Sequence, residues 1–387
     1  MKKIVALIAL LAAFPPLSTD MYLAAIPLLV KQWEQPLTTV NLTLVCFFVT
    51  YCLFLLIYGP LSDRFGRRPP LLAGLILYTF ASSLCAVADN IYVLIVARTL
   101  QGAGAAAASS IAFAICKDLF TGRIRQRIFL QLGIIVAAAP MIAPILGGWI
   151  IASLSWRWVF FLQALLGIIS GIGVILMEES SKSFNTEGLG RVFKSYLRLM
   201  ANKTFIFLTI GFAFLGFPFF AFIGCSSDIF ISRLGYNEKE FGYFFSLNSF
   251  AFMLAPFIFS KMSKYFSLKQ LLPVSFIGVL ATSLVMTTTV IPLPYRLVIP
   301  MWLLTFFFAF GRPPSNNLLL EQVEQDVGAA SSLMVFFYFM TGSISMWIIS
   351  QDWHDKIIVM GWLGTISASI TILFWLVINR LLTIKLP

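Results

Sequence analysis

The stretch "GPLSDRFGRRP", residues 59–69, separates two apolar runs at 40–60 and 71–89. Each run can cross a membrane, because a helix needs about 20 apolar residues to span about 30 Å of hydrocarbon. The same alternation of apolar run and polar loop continues in both directions. It produces runs at 4–28, 40–60, 71–89, 91–114, 128–152, 156–177, 204–226, 241–262, 270–291, 297–318, 328–350 and 357–380. The sequence therefore predicts an all-α membrane protein with twelve transmembrane helices.

The composition agrees with a membrane protein. Of the 387 residues, 59% are hydrophobic and 11% are charged, whereas a soluble domain of average composition is about 25% charged. The ten-residue alternating strands of a membrane β-barrel are absent from the sequence. A cleaved signal peptide is the alternative for "MKKIVALIALLAAF" at the N-terminus, but the apolar run continues to Pro27 without a polar cleavage region.

The residues behind the net charge of +11 are spread unevenly over the loops. If the N-terminus is cytoplasmic, 20 of the 27 Lys and Arg residues fall in inner loops and helix ends, among them Arg312, and six fall outside. This positive-inside bias predicts two cytoplasmic termini and contact with anionic lipid rather than with nucleic acid. The five cysteines have no metal-ligand spacing and indicate packing residues. The single histidine, His354, predicts no metal site.

The longest polar segment between runs divides the chain into six helices and six helices. We expect an N-terminal bundle at 1–178, a cytoplasmic linker at 179–203 and a C-terminal bundle at 204–387. The second half of the linker has helical amphipathic spacing and can lie on the inner surface. The loop at 260–270 weakly repeats the basic loop at 59–69. A duplicated bundle of this kind indicates a transporter with its substrate site near the midplane.

The basic loop itself predicts a conformational latch. Gly59 and Pro60 are expected to end the second helix, and Gly66 to supply a tight turn. Asp63 can meet a helix N-terminus or an arginine of a neighbouring helix. The alternative is a positive-inside anchor only. The basic members of this loop are Arg64, Arg67 and Arg68.

Three stretches carry a family resemblance. The loop at 59–69 resembles the signature of the major facilitator superfamily, and "LIVARTLQGAGAAA" at 94–107 looks like its fourth-helix motif. "APMIAPILGGW" at 139–149 is similar to the fifth-helix motif of its antiporters, with alanine at 139 and 143 in place of two glycines. "STDMYLAAIP" and "AICKDLFTGRIR" resemble the Bcr/CflA drug–proton antiporters, with Ala24 where that subfamily has proline. The resemblance implies two pseudo-symmetric six-helix bundles and a monomeric transporter in the bacterial inner membrane.

The fifth helix also has a physical interpretation. Ala139, Ala143 and Gly147 lie four residues apart on one helix face, so another helix can approach closely. Pro140 and Pro144 are expected to bend the helix. We predict that these prolines, Gly147 and Gly148 limit leakage during conformational change, with ordinary small-residue packing as the alternative.

Two charges lie well inside predicted helices. Asp20 is the only acid far from a helix end, and desolvation favours its neutral form. Pro15, Pro16 and Pro27 weaken the helix around it. Arg98 stays charged and is expected to bias a nearby acid, unless it snorkels to the outer interface. We predict proton coupling by Asp20 and Arg98, whereas a static pairing of Asp20 with Ser18, Thr19 or Arg98 is the alternative.

The remaining candidates concern substrate. Of 39 phenylalanines, 26 follow residue 203, and some are expected to line a cavity for apolar, aromatic or cationic compounds. Asp118 is interpreted as structural, fixing its loop through Arg123 or Arg125. The predicted substrate contacts are Thr19, Tyr22, Tyr51, Gln101, Met141, Phe219, Asn248, Asn316 and Tyr338.

Together these features predict a proton-coupled exporter of small apolar or amphipathic compounds, such as drugs or secreted metabolites. No G-x-x-x-x-G-K-[ST] loop is present in the sequence, so we expect the proton gradient, without a cofactor, to drive transport. An uptake symporter for a small metabolite on the same fold is the first alternative. A membrane receptor or scaffold, or an intramembrane enzyme, is a weaker one, because no large extramembrane segment or Ser/His pair is present.

Overall fold

The computed structural model describes residues 2–181, 189–323 and 325–381. In these residues the chain forms helices and no strands. The helices are α1 (Lys2–Ala12), α2 (Phe14–Asp20), α3 (Ile26–Gln32), α4 (Leu37–Phe65), α5 (Arg68–Ala86), α6 (Ile91–Leu119), α7 (Gly122–Ser153), α8 (Trp156–Ile175), α9 (Leu189–Ala201), α10 (Lys203–Phe214), α11 (Phe217–Ser227), α12 (Glu238–Met262), α13 (Leu268–Thr287), α14 (Tyr295–Glu321), α15 (Val327–Ile349) and α16 (Lys356–Leu381).

The number of membrane helices agrees with the prediction. Eleven helical segments in the described residues are long and apolar enough to cross a membrane, and one of them joins α10 and α11 over Lys203–Arg233. A twelfth consists of α1 and the helices that follow it to Gln32, which are bent by 44° after Ala12. The predicted all-α membrane fold is therefore confirmed.

Some helix ends differ from the prediction. Gly59 and Pro60 do not end the second membrane helix, because α4 continues through both residues to Phe65. Asp63 therefore lies in the last turn of α4 rather than in a loop. The tight turn at Gly66 is confirmed: its φ of 88° falls in a region that side chains other than glycine rarely adopt.

The chain divides into two compact units. One contains residues 1–189 and 230–246, and the other contains 190–229 and 247–387. The predicted boundaries at 178 and 204 stay a prediction. The predicted amphipathic linker helix is present as α9, and its Arg198 is 3.4 Å from Asp326. The five cysteines all lie within the described residues and form no disulfide there, and four of them are buried, as packing residues would be.

Small residues set the packing of the first unit. A Cβ on Gly102 would overlap the carbonyl oxygen of Phe47, and one on Gly104 would lie 2.7 Å from the carbonyl oxygen of Gly74. The backbones of α4 and α5 thus approach α6 closely, which is how membrane helices associate without a hydrophobic driving force. This packing leaves Arg98, on α6, fully enclosed.

Candidate functional site

The first membrane helix is interrupted at Asp20. Helix α2 ends at this residue, and a turn followed by a short 3-10 helix at Leu23–Ala25 leads into α3. Pro15 and Pro16 stand in the first turn of α2, and Pro27 stands in the first turn of α3. A proline there removes no helical hydrogen bond, so the prolines mark the start of each short segment. Ala24 lies in the 3-10 helix, where it does not restore a continuous helix.

Asp20 is buried and has no counter-charge. The residue is 6% exposed, and its Oδ1 accepts a 2.9 Å hydrogen bond from the Thr19 hydroxyl. None of the ion pairs within the described residues includes Asp20. A buried carboxyl group without a cation nearby is stable only in its neutral form. The geometry thus places a buried carboxyl group at a break in the helix, and its role in proton coupling stays a prediction.

Arg98 is held by backbone and amide oxygens. Its Nη1 donates to the Ser18 carbonyl at 2.9 Å and to Oε1 of Gln101, and its Nε lies 3.4 Å from the Thr43 carbonyl. Gln101 in turn donates to Gln163 at 2.8 Å. These bonds join α6 and α8 to the backbone of α2, two residues before Asp20.

Aromatic rings surround the same guanidinium. The Arg98 Cζ lies 4.4 Å from the Phe47 ring centroid, 5.1 Å from Tyr22 and 5.8 Å from Phe160. The residue is fully buried, which rules out the alternative of an arginine that snorkels to the interface. Nη2 has no hydrogen-bond partner. Arg98 therefore fixes the position of the broken helix and makes no direct contact with the carboxyl group of Asp20.

The fifth membrane helix packs on the break. A Cβ on Gly147 would overlap the carbonyl oxygen of Met21, the residue that follows Asp20. Gly148 approaches the Glu238 backbone in the same way, and a Cβ on Gly242 would lie 2.7 Å from the carbonyl oxygen of Pro144. Helix α7 continues through Pro140 and Pro144 without interruption. The predicted small-residue face thus lies against the interrupted segment that carries the acid.

The other predicted contacts of the first unit have local partners. The Tyr22 hydroxyl is 3.0 Å from the Thr43 hydroxyl, and the Tyr51 hydroxyl is 2.9 Å from the Ser109 hydroxyl. The Met141 carbonyl accepts from the Ser246 hydroxyl. Thr19 contacts Asp20 directly. Thr19, Tyr22 and Gln101 are therefore close to the break, and their role in substrate binding stays a prediction.

The basic loop forms a charged cluster. Arg67 donates to Asp63, to Ser62 and, at 2.8 Å, to Asp118. Asp118 is structural, as predicted, but the predicted partner is wrong. It pairs with Arg67 rather than with Arg123 or Arg125, because α6 ends beside the loop. The Arg64 guanidinium lies 5.3 Å from the Phe65 ring centroid.

Glu179 completes this cluster. Its two carboxylate oxygens accept the backbone N–H groups of Arg67 and Arg68 at 2.9 and 3.0 Å, at the start of α5. Partial burial acts to raise the pKa of Glu179, but hydrogen bonds from these and other backbone N–H groups outweigh it and hold the pKa below its usual value. An anion at a helix N-terminus is stabilising.

The second unit contains a cavity of about 180 Å³ between α10, α14 and α15. Asn316 and Tyr338 line it, as expected of substrate contacts, and so do Phe212 and Phe308. Phe219 is outside the lining set and packs 5.5 Å from the Phe308 ring. Asn248 is also outside it, and accepts a 3.0 Å hydrogen bond from Thr305.

Sequence reasoning misplaced one residue of this cavity and missed others. Arg312 was expected at an inner helix end, but α14 continues nine residues beyond it, so the charge lies inside a membrane helix and lines the cavity. Outside the cavity, three further contact residues were missed, and no sequence signal marks them. Gln163 and Ser82 accept hydrogen bonds from Gln101, and Glu179 accepts from the start of α5. Among the described residues, no cluster of His, Cys, Asp and Glu could hold a metal ion.

Eleven or twelve membrane-spanning helices among the described residues, with a buried acid at a helix break, are typical of a transporter of small molecules. The chain belongs to the Major Facilitator Superfamily, whose profile matches residues 8–346. It is 30% identical over 347 residues to the "Uncharacterized MFS-type transporter YdgK" of Bacillus subtilis, covering 87% of this chain and 86% of that one. It is 26% identical to the "Bicyclomycin resistance protein homolog" of Haemophilus influenzae over 87% and 86% of the two chains.

Further relatives agree with this family. A "Chloramphenicol resistance protein" of Pseudomonas aeruginosa is 27% identical over 86% of this chain and 80% of its own. Among solved structures, a D-xylose–proton symporter matches with a TM-score of 0.73 at 16% identity, over 95% of this chain and 96% of that one. At that identity the match shows the fold alone. The resemblance to drug antiporters of this superfamily is therefore confirmed, and the chain is a multi-pass membrane transporter.

Proposed function

We propose that this transporter exports small apolar or amphipathic compounds across the bacterial inner membrane in exchange for protons. Asp20 takes up a proton from the outside, and substrate from the cytoplasm or the inner leaflet displaces it. Both chain termini are cytoplasmic in this proposal, and the transporter works as a monomer without a cofactor.

The observation that carries the proposal is the environment of Asp20. The carboxyl group is buried, lies at the interruption of the first membrane helix and has no ion pair among the described residues. An ionisable group inside a membrane segment is by default functional. The overlap that a side chain at Gly147 would make with Met21 couples the geometry of α7 to that interruption. A proton on Asp20 thus changes the charge of a segment that two other helices hold.

The names of relatives support export. Proteins called bicyclomycin and chloramphenicol resistance proteins match most of this chain, and a membrane transporter confers resistance by moving the compound out of the cell. We therefore choose chloramphenicol as the first probe. An uptake symporter has no comparable support, because the likeness to the xylose symporter concerns the fold only.

Proteoliposomes with an imposed pH gradient test the proposal. We expect uphill chloramphenicol transport by the wild type, none by Asp20→Asn, and wild-type transport by the control Asp352→Asn, which removes an exposed carboxyl group elsewhere. Gradient-driven transport that survives Asp20→Asn contradicts the role of Asp20. Inverted membrane vesicles establish direction: an exporter accumulates the drug when the vesicle lumen is acidified, and an uptake symporter does not.

A further inference from the structure

The cavity of the second unit has a polar side that the proposed function does not use. It lies between α10, α14 and α15, and its lining combines aromatic and aliphatic side chains with hydrogen-bonding groups. Among the residues that the structure describes, the lining contains no Asp or Glu. The lining residues that the argument uses are Thr209, Phe308, Arg312, Asn316 and Tyr338.

Arg312 is the charged group of this cavity. Its Cζ lies 3.9 Å from the Tyr338 ring centroid and 5.9 Å from that of Phe308. None of the ion pairs in the described residues includes Arg312. The same guanidinium hydrogen-bonds the Tyr338 side chain. Because a guanidinium has five N–H donors in a planar fork, further donors at its edge stay available.

Thr209 is a second, independent sign of a missing ligand. The residue is 2% exposed, and its hydroxyl oxygen has no hydrogen-bond partner in the structure. A buried hydroxyl without a partner is destabilising, so such groups are normally paired. Thr209 borders the same cavity as Arg312 and the amide of Asn316. The cavity thus presents a cation and polar side chains without any carboxylate.

We propose that this cavity binds an aromatic compound with an anionic group, most simply an aromatic carboxylate. The guanidinium of Arg312 binds the carboxylate through paired N–H donors, and the rings of Phe308 and Tyr338 pack against the aromatic body. The inference names a substrate class for the exporter and so rests on the proposed function. It also changes the expected substrate, because the sequence alone suggested apolar, aromatic or cationic compounds.

Direct binding to the purified transporter tests the inference. The probe is tritiated 1-naphthylacetate, and its uncharged analogue is 1-naphthylacetamide. We expect saturable binding of the acid and binding of the amide that is at least about tenfold weaker. Arg312→Gln lowers affinity for the acid by about tenfold, to the level of the amide, and Arg312→Lys recovers part of the loss because it restores charge without the planar fork. Lys261→Gln, which removes an exposed cation 4.7 Å from the Phe257 ring and outside the cavity, leaves binding unchanged.

Equal affinity for acid and amide, absence of saturable binding, or unchanged binding by Arg312→Gln would overturn the inference. Arg312→Gln must elute as a single species with a wild-type melting temperature. An intermediate affinity of Arg312→Lys shows that the loss of binding comes from the missing charge and not from a change in the fold. A lipid phosphate has the same chemistry, so dihexanoyl phosphatidylglycerol is tested in parallel. Binding of that lipid through Arg312, without binding of naphthylacetate, also overturns the inference.

The binding assay needs no proton gradient, which separates the two proposals. Binding that depends on Arg312, without gradient-driven chloramphenicol transport, contradicts only the proposed function. Gradient-driven transport that depends on Asp20, without binding that depends on Arg312, contradicts only the inference about the cavity.

Discussion

Two arginines lie inside membrane helices, and they differ in how their charge is accommodated. Arg98, in the first unit, is fully buried and donates to the carbonyls of Ser18 and Thr43 and to Gln101. Arg312, in the second unit, stacks on aromatic rings beside a cavity and has no carboxylate partner in the described residues. Both have ring contacts, so the acceptors make the difference. An arginine whose donors bind backbone and amide oxygens of several helices holds structure, whereas one whose hydrogen-bond partner is a single tyrosine keeps donors available to a ligand.

The largest effect is expected where the first unit is most tightly packed. Gly147→Val places side-chain atoms on the Met21 carbonyl, so α7 must move away from the helix break. We expect loss of proteoliposome transport or of the folded protein. Gly133→Val in the same helix is the control, because nothing lies within 4 Å of a Cβ there. Wild-type transport by Gly147→Val would contradict the close approach.

The same substitution at the two arginines should affect stability differently. Arg98→Gln leaves buried carbonyl oxygens without donors and should lower the free energy of unfolding by about 3 kcal/mol. Arg312→Gln should change it by less than about 1 kcal/mol, because only the Tyr338 hydroxyl, which borders the cavity, loses a partner. Thermal unfolding of both purified variants in detergent measures the difference. Equal destabilisation would remove the distinction between the two arginines.

Two hydroxyl groups, one with a partner among the described contacts of the first unit and one without a partner among those of the second, extend the comparison of stability with smaller expected effects. Ser82 accepts a 2.7 Å hydrogen bond from Gln101, so Ser82→Ala should destabilise the protein by about 1 kcal/mol. Thr209→Val removes an unpartnered hydroxyl at nearly constant shape and should be neutral or stabilising by up to about 1 kcal/mol without ligand. Denaturation midpoints check both values. A destabilised Thr209→Val would mean that this hydroxyl has a partner within the fold.

The smallest effect concerns acid stability. Because the pKa of Glu179 is lowered in the folded state, the unfolded chain binds more protons near pH 4, and the contribution of Glu179 disappears as the pH falls through its folded pKa. Glu179 is exposed, so Glu179→Gln should lower stability by only about 0.5 kcal/mol at pH 6. The melting temperature of the variant should also fall less than that of the wild type between pH 6 and pH 3.5. An equal fall in both would exclude this carboxylate as a source of the pH dependence.

The sequence predicted the features that depend on local pattern. Apolar length indicated the membrane helices, prolines indicated the interruption at Asp20, and spacing by four placed Gly147 on a packing face. The contacts of Arg98 with Ser18 and Thr43 could not be predicted, because these residues come from two other helices. Arg312 was counted with the inner loops and helix ends from the charge distribution alone, whereas α14 continues nine residues beyond it and its packing with α10 and α15 places Arg312 at the cavity.

Proton release on substrate binding tests the central claim most directly. The purified transporter in weakly buffered detergent solution receives a saturating amount of chloramphenicol, and a pH indicator records protons released per transporter. If substrate displaces the proton from Asp20, the wild type and the control Asp352→Asn release protons and Asp20→Asn releases none, while all three bind the drug. Proton release by Asp20→Asn equal to that of the wild type would contradict the account.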